Sequence, residues 1–487
     1  MSKINSLSNE KIAWGVFWYI VIIEKKEGGY MSKKLNELLS KFTKEELISI
    51  IEDLSSEYKE IEDKLIMKYN VLDVDDEIKK NKKYLTKITR KYGNGRRFVH
   101  WRECGSYALE VMEVLDNAKE YYNDLDKPAV LVETSLEVIS RMINALNYMD
   151  DSNGDIGDVI NYAFNLIDDT CMDVEEFSQE DKKRLFKKLL NEGDKEVYDG
   201  WSDWRLEAIS NCIYFCKDAK NRKKFEEKID EFIDKNNSDD WSKNYFIEHA
   251  LNLKLNLYKY VEDNEKAQKL IEENLKYPSF REKMIIEYRD LKDYKKVIEL
   301  AEDGEISDKK YIGLVHKWKT YRYLANKELN NVEEVEKLGR YLFLNGNMSI
   351  LEDLKEIHKS DWKEYYLGLK AELSNDSRYT NYLYIDMLIK ENDLEALLEV
   401  CKKDIRYIED FAEILMEDYK EDVEYIYRVY IERISDMASD RKKYRSVCKV
   451  IKNYKKLFGD IGTVKIVKEL KAKFIKRPAF IDELSKI

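Results

Sequence analysis

The stretch LVETSLEVISRMINALN (131–147) decides the fold class of this chain. Its apolar residues are separated by four, three, four and three positions: Val132, Leu136, Ile139, Ile143 and Leu146. That spacing places them on one stripe of an α-helix. The segment NDLEALLEVCKK (392–403) has the same periodicity. From about residue 34 onward, the pattern predicts amphipathic helices and gives no support for strands.

Two shortages in the composition point the same way. Proline occurs only three times and glycine 17 times in 487 residues. Proline ends helices, so its scarcity permits long helical stretches. A large sheet needs many tight turns, and tight turns favour glycine. Because hydrophobic residues make up 44% of the chain, a sizeable core is available to an all-α protein.

Short polar breaks separate the predicted helices and suggest how they are arranged. Connections this short make neighbouring helices pack antiparallel. The number of predicted helices is too large for all of them to share one core. We predict an α-solenoid of degenerate TPR- or HEAT-like antiparallel helix hairpins, although no strict TPR signature is present. The predicted breaks are YNDLDKP (122–128), DDSNGD (150–155), NEGD (191–194), KNNSDD (235–240), EDGEISD (302–308), NGN (345–347) and SNDS (374–377).

The predicted organisation is an N-terminal helical region at 31–125, followed by the helical-repeat region at 126–487. Residues 1–30 contain the apolar run IAWGVFWYIVII (12–23), which is shorter than the roughly 20 residues of a spanning helix. The next residues lack the small-residue cleavage site of a signal peptide. The codons for GluGlyGlyTyrMet can also form a ribosome-binding sequence before Met31. Residues 1–30 are therefore either an apolar leader or an over-extended start. We predict that the protein has no membrane partner.

Charge and cysteine content limit the classes of function. The formal net charge is −12, which argues against nucleic acid as the main partner, because binding to a duplex depends on Lys and Arg neutralising phosphates. A local basic patch stays compatible with that charge. Six cysteines without framework spacing are typical of a reducing compartment. We therefore expect a cytoplasmic protein.

The acidic segment DDSNGDIGDVI (150–160) invites a calcium or phosphate interpretation, which its spacing does not support. An EF-hand loop needs Gly at position 6 and Glu at position 12. With Gly154 at position 6, position 12 is Ile160. A P-loop needs Lys and Ser or Thr after its last glycine, where this segment has Asp-Val. We predict a turn between helices, with Asp155 or Asp158 capping the second helix.

Cys212 and Cys216, in NCIYFCKD, are the candidate metal ligands. They lie four positions apart and would share a helix face, as two ligands of a zinc site can. A closed zinc site needs four ligands, and free cysteine is among the most buried residue types. We therefore favour core packing for Cys212 and Cys216. For the same reason we favour core packing for His100 and Cys104. No metal or other cofactor is predicted.

No familiar catalytic pattern occurs in the chain. The motifs HExxH, GxSxG, GxGxxG and GxxxxGK[ST] are absent, and the four histidines are isolated in the sequence. Carboxylates are too numerous to single out a catalytic pair. We therefore predict a protein that is not an enzyme, and an unrecognised carboxylate- or cysteine-based site stays open as an alternative.

Two aromatic clusters are the candidate binding residues. The stretch TRKYGNGRRFVHWR (89–102) interleaves basic and aromatic side chains, a combination that can contact phosphates and stack bases or pair with an acidic protein surface. The segment YDGWSDWR contributes two tryptophans, for which core packing is favoured over surface exposure. The candidates are Arg96, Arg97, Phe98, His100, Trp101, Arg102, Trp201 and Trp204.

Several segments taken together resemble one family. They are LNELLSKFTKEELISIIEDL (35–54), RRFVHWRECGSYALEVMEVLDNA (96–118), DDSNGDIGDVI (150–160), DWKEYYLGLKAEL (361–373), NYLYIDMLIKENDLEALLEV (381–400), DMASDRKKYRSVCKVIKNYKKL (436–457) and FIKRPAFIDELSKI (474–487). Their order is similar to that in the long helical C-terminal region of bacterial and archaeal SWIM zinc-finger proteins. The zinc-binding pattern CxCx(n)CxH of that family is absent. The resemblance therefore implies the helical part alone, a partner such as an AAA+ ATPase or a separate SWIM protein, and no catalytic residue.

The sequence predicts a non-enzymatic helical-repeat scaffold that binds protein partners on an extended surface. Aromatic and aliphatic anchors framed by charged rims would carry the binding. The alternative is a nucleic-acid-associated module, acting for example in defence against mobile elements, with residues 89–102 as its contact.

Overall fold

The computed structural model describes residues 39–58, 61–62, 65, 72–93, 95, 97–236, 241–375 and 380–487. Residues 1–30 and Met31, on which the two interpretations of the N-terminus depend, lie outside these ranges. Within them the chain forms 22 α-helices, a few short 3-10 helices and one isolated β-bridge, with no strand. The all-α class predicted from the sequence is confirmed. In the same ranges, no helix combines the length and apolar character needed to cross a bilayer.

The chain divides into two compact units. The first ends at Leu270 and the second runs from Ile271 to Ile487. The boundary predicted after residue 125 lies inside the first unit, between two helices that pack against each other. The helices up to the division are α1 (Lys44–Glu57), α2 (Val74–Lys91), α3 (Trp101–Leu125), α4 (Pro128–Ala145), α5 (Asp155–Met172), α6 (Gln179–Glu192), α7 (Ser202–Ser210), α8 (Ala219–Lys235), α9 (Trp241–Tyr260) and α10 (Asn264–Glu273), within which the division falls.

Helix α4 is the centre of the first unit and contains most of the stripe that decides the fold class. Proline at its first position, Pro128, suits a helix start, where the missing N–H would have no partner. Thirteen of its 18 residues are buried, because α2, α3, α5 and α6 all pack around it. A helix that is apolar on nearly every side is typical of such a covered position. Leu146, the last stripe residue, is half-buried and caps the helix.

The second unit is a succession of antiparallel hairpins. Each helix packs mainly against its neighbours in sequence, the arrangement that defines helical-repeat proteins. The helices are α11 (Pro278–Asp290), α12 (Tyr294–Ser307), α13 (Ile312–Glu328), α14 (Val332–Leu344), α15 (Leu351–Ile357), α16 (Trp362–Asn375), α17 (Thr380–Lys390), α18 (Leu394–Lys403), α19 (Ile408–Leu415), α20 (Lys420–Met437), α21 (Arg441–Lys473, with non-helical dihedrals at Gly459) and α22 (Pro478–Leu484).

Four hairpins share one turn geometry. In each, a residue other than glycine adopts a left-handed conformation, with φ between 54° and 62°. The next residue, Asp or Asn, donates its N–H to the carbonyl five positions earlier, as Asp293 does to Tyr288 at 2.8 Å. The residue five positions after the left-handed one lies in the following helix and is buried. The left-handed residues are Glu262, Lys292, Asn330 and Asn392.

One predicted break is wrong. The segment 302–308 is helical as far as Ser307, and the turn follows it at 308–311. The reason is Gly304, which is buried against the Trp318 ring at a distance where a Cβ would approach the ring to 2.8 Å. Glycine serves close helix packing here and makes no turn. Four residues of the predicted break at 235–240 and two of the four at 374–377 lie outside the described residues.

Candidate protein-interaction site

The segment 97–102 leads into α3 and is held by a second loop of the first unit. The Val99 N–H donates to the Tyr148 carbonyl, and the Asp150 N–H donates to the Val99 carbonyl, both at 2.9 Å. The Val99 side chain is fully buried. Successive side chains of extended backbone point in opposite directions, so a buried Val99 places its two neighbours outside. Val99 was not singled out from the sequence, although the alternation around it was a usable signal.

The outward side chains form an exposed aromatic surface. Phe98 is 58% exposed and Trp101 is 44% exposed. The ring of His100 meets that of Phe98 edge to face with centroids 5.5 Å apart, and the Arg102 guanidinium lies over the Trp101 ring at 5.2 Å. The structure therefore joins four of the predicted candidates in two pairs that are neighbours in sequence. We call Phe98, His100, Trp101 and Arg102 the aromatic-basic surface.

Arg97, a further basic candidate, contributes little charge to this surface. Arg97 forms a two-point pair with Glu103, with N–O distances of 3.0 and 2.6 Å. The hydrogen bonds from Arg97 hold the pKa of Glu103 below its usual value, while those to Glu103 raise the pKa of Arg97. The pair is exposed and largely cancels its own charge. Arg96 lies outside the described residues.

The acidic segment next to this surface is a helix start, and its capping residue is not the one predicted. The Asp151 carboxylate accepts hydrogen bonds from the backbone N–H groups of Ile156 at 2.7 Å and Gly157 at 3.1 Å. It thereby satisfies amides that a helix N-terminus leaves without partners. Gly154, with φ of 81°, makes the turn. Asp155 and Asp158, the predicted caps, lie in the first turn of α5 and do not cap it.

These carboxylates make the neighbourhood of the aromatic-basic surface electronegative. Burial and repulsion from Asp151 raise the pKa of Asp155, and burial followed by repulsion from Asp155 raises that of Asp158. A Cβ on Gly105, in the first turn of α3, would lie 3.5 Å from the Asp155 carboxylate. A phosphate backbone approaching this end of α3 would meet these negative charges.

The two tryptophans form a second, separate aromatic site. Trp201 and Trp204 stack with ring centroids 4.5 Å apart. The expectation that they lie in the core is wrong for Trp201, which is 40% exposed, and Trp204 is half-buried. Next to the pair, Arg205 donates a hydrogen bond to the Gly193 carbonyl at 2.7 Å, which ties the start of α7 to the end of α6. In the described part of the chain, no hydrogen bond or ring contact joins the pair to the aromatic-basic surface.

The candidate zinc ligands are packed in an apolar environment. Cys212 and Cys216 are both fully buried, and the Cys216 thiol donates to the Cys212 carbonyl at 3.1 Å. Burial raises the pKa of Cys212 well above its usual value and that of Cys216 to about 12. Zinc binds thiolates, which such surroundings disfavour. Across the described ranges, no group of three or more His, Cys, Asp or Glu side chains is arranged to hold a metal ion.

The thiol of the other cysteine considered, Cys104, also has partners in the protein. It is fully buried and donates to the carbonyl of Asp150 at 3.3 Å. Burial raises its pKa, and the negative charges of Asp151 and Asp155 add to that effect. His100, four residues earlier, points to the aromatic-basic surface through its contact with Phe98. Cys104 therefore packs in the core as predicted, whereas the same expectation is wrong for His100, which is exposed.

Comparisons with known proteins give one match. No protein-family model and no curated protein matches the chain. A similar solved structure is a circular tandem repeat protein with novel repeat topology and enhanced subunit contact surfaces. It is 12% identical, the alignment covers 90% of this chain and 91% of that chain, and the TM-score is 0.19. With a TM-score this low, the likeness carries no argument, and the fold class rests on the helices of the chain itself.

Proposed function

We propose that this chain is a non-enzymatic helical-repeat scaffold that binds a protein partner through the aromatic-basic surface. The observation that carries the proposal is the pair of large exposed rings, Phe98 and Trp101, on a backbone fixed by the buried Val99. Exposed aromatic and Arg side chains on a rigid base are the residues that dominate binding energy at protein interfaces. Little conformational entropy is lost when such a surface binds, because its backbone is already fixed.

Charge favours protein over nucleic acid as the partner. Arg97 is already neutralised by Glu103, so among the described residues of 97–102 the charged donor that stays without a carboxylate partner is Arg102. The acidic turn around Asp155 lies at the same end of α3. A nucleic-acid site needs several Lys or Arg side chains free to neutralise phosphates, whereas a protein interface needs only aromatic anchors and a mixed polar rim.

The repeat type and the cellular setting belong to the same proposal. The four shared hairpin turns support a TPR-like repeat of helix–turn–helix units, since each has a left-handed residue followed five positions later by a buried apolar one. The resemblance to the helical region of SWIM proteins suggests an AAA+ ATPase or a separate SWIM protein as the partner. A cytoplasmic location fits six cysteines that are all free.

Partner capture with matched variants tests the proposal. The immobilised full-length chain, Phe98→Ala/Trp101→Ala, and the control Tyr311→Ala, which truncates an exposed ring of the second unit, are each incubated with extract of the native host. Proteins are quantified by mass spectrometry, and nucleic acid is measured in the same eluates. We expect a protein held by the wild type and the control and reduced at least about tenfold by the double variant, since each interface aromatic contributes about 1–2 kcal/mol or more.

Two results would contradict the proposal. One is equal recovery of every protein with the double variant and the wild type. The other is nucleic acid that survives moderate salt, is retained without a protein and is lost with Arg102→Glu. The second result would establish the nucleic-acid alternative, because contacts to phosphate depend on positive charge.

A further inference from the structure

The N-terminal half of α21 carries a charge opposite to that of the whole protein. Residues 441–458 contain eight basic side chains and no acidic one, in a chain of net charge −12. The basic residues are Arg441, Lys442, Lys443, Arg445, Lys449, Lys452, Lys455 and Lys456.

Half of these side chains are free for a partner. Arg441, Lys443, Arg445 and Lys455 each pair with a nearby carboxylate. The other four, Lys442, Lys449, Lys452 and Lys456, are exposed and have no ion pair with any residue that the structure describes. Together with Arg445 they are spaced by three, four, three and four positions, so they lie along one face for about 21 Å of helix. We call these four residues the lysine stripe.

An apolar groove runs beside the lysine stripe, between α20 and α21. Its volume is 530 Å³. Ile434, Val447 and Val450 contribute to its lining, and the two valines are buried at its base. Met437, 69% exposed, stands at the edge, and Lys449 of the stripe also lines the groove. The site therefore combines an apolar floor with a charged rim, to which the stripe contributes Lys449 and α19 contributes the opposite charge of Glu409.

We propose that this groove and the lysine stripe bind an acidic amphipathic helix of a partner protein. An amphipathic helix laid in a groove places apolar side chains on the floor and its polar face towards the rim. Acidic residues on that face would meet the four free lysines, which supplies charge complementarity. The inference rests on the proposed scaffold function and names the chemistry of a partner at a second surface, distant in sequence from the aromatic-basic surface.

Other polyanions fit the site less well. A nucleic-acid backbone has no side chains to fill an apolar groove, and the stripe presents no exposed aromatic ring for base stacking. A membrane surface is broad, so it would not reach Val447 and Val450 at the base of the groove.

Fluorescence anisotropy with a designed probe tests the inference. The probe is a labelled helical peptide of about 18 residues, or five turns, with Leu on one face and Glu on the others. A peptide of the same composition but scrambled order has no apolar face. A duplex DNA and phosphatidylserine vesicles serve as competitors. The protein is the full chain, and circular dichroism verifies that each variant is folded.

We expect the full chain to bind the amphipathic peptide and to bind the scrambled peptide at least about tenfold more weakly. Lys449→Glu/Lys452→Glu and Met437→Ser should each weaken binding about tenfold or more. The control Lys465→Glu/Lys468→Glu changes the charge equally on exposed residues beyond Gly459 and should leave it unchanged.

Three results would overturn the inference: no binding of the peptide at low salt, an equal loss with the control variant, or displacement by duplex DNA or vesicles with the same dependence on Lys449 and Lys452. Because the partner-capture experiment perturbs Phe98 and Trp101 in the first unit, its outcome is separate. If the peptide does not bind but partner capture depends on Phe98 and Trp101, the groove is excluded and the aromatic-basic surface is kept. If the peptide binds and partner capture fails, the aromatic-basic surface is excluded and the groove is kept.

Discussion

Replacement of Asp308 by alanine should destabilise the second unit strongly. Asp308 is buried and accepts hydrogen bonds from the Arg281 guanidinium at 3.0 Å and from the Trp318 indole N–H at 2.8 Å. Arg281 is also buried, at 4% exposure. It also donates a hydrogen bond of 3.3 Å to the Ser307 hydroxyl, and its guanidinium lies over the Trp318 ring at 5.5 Å. Asp308→Ala therefore leaves a buried positive charge and an indole N–H without their acceptor.

The expected loss follows from these two contacts. Removing one partner of a buried ion pair costs about 3–5 kcal/mol, because the other charge stays buried and uncompensated. The lost indole hydrogen bond adds about 1 kcal/mol. We expect Asp308→Ala to lower the free energy of unfolding of the second unit by about 4–6 kcal/mol. The double variant Arg281→Met/Asp308→Leu should recover much of this loss, since apolar residues of similar volume often replace a buried pair at little cost.

Urea unfolding followed by circular dichroism measures the effect, and hydrogen exchange assigns it to α11–α13. The control is Asp290→Ala, which removes an exposed pair with Arg289 at 2.9 Å and should cost less than about 1 kcal/mol. The reasoning is refuted if Asp308→Ala costs no more than this control, or if the double variant is less stable than Asp308→Ala.

Three further predictions concern other parts of the chain. Burial raises the pKa of Asp393, but hydrogen bonds from Lys370 and Tyr366 outweigh it and leave the pKa below the usual Asp value. The stability that wild type holds over Asp393→Asn should therefore be present above about pH 4. It should shrink as the pH falls through the lower folded-state pKa, which urea midpoints measured across pH test. Gly304→Ala should lower stability by about 1–3 kcal/mol through its clash with Trp318, whereas Gly313→Ala, in open space, should raise it by up to about 1 kcal/mol, as thermal melts would measure. A thiol reagent should modify the six buried cysteines only after unfolding, and rapid labelling of Cys212 or Cys216 in the native protein would contradict their packing role.

The helical class was predictable because it depends on local spacing. The stripe from Val132 to Ile143 is buried as its periodicity required. The sequence did not show that α4 would be covered on nearly all sides, because the covering helices come from distant segments. Likewise, Gly304 looked like a turn residue until the Trp318 ring was found against it. In both cases tertiary packing decided what local sequence left open.

The repeat was hidden for a chemical reason. At the turn position where a left-handed conformation favours glycine, this chain has Glu262, Lys292, Asn330 and Asn392. The conformation persists because the following Asp or Asn bonds back to the preceding helix. A search for glycine at this place therefore misses hairpins that the backbone forms anyway.

The candidate sites were predictable only in part. Residue type alone identified Phe98 and Trp101, and their exposure depends on the bridge from Val99 to the loop at 148–150, which no local pattern specifies. The capping role fell to Asp151 because its carboxylate reaches two amides of the next helix. The spacing of the lysine stripe was visible in the sequence, but the groove beside it required the packing of α20 on α21.

Site-specific photo-crosslinking tests the central claim most directly. A photoreactive amino acid replaces Trp101 in one version of the full chain and Tyr311 in another, and the products formed in living cells are mapped by mass spectrometry. A protein surface that depends on the exposed ring of Trp101 predicts cross-links from position 101 to a defined peptide of one protein, with none to that protein from position 311. Cross-links from position 101 to nucleic acid, or the same proteins captured from both positions, would contradict it.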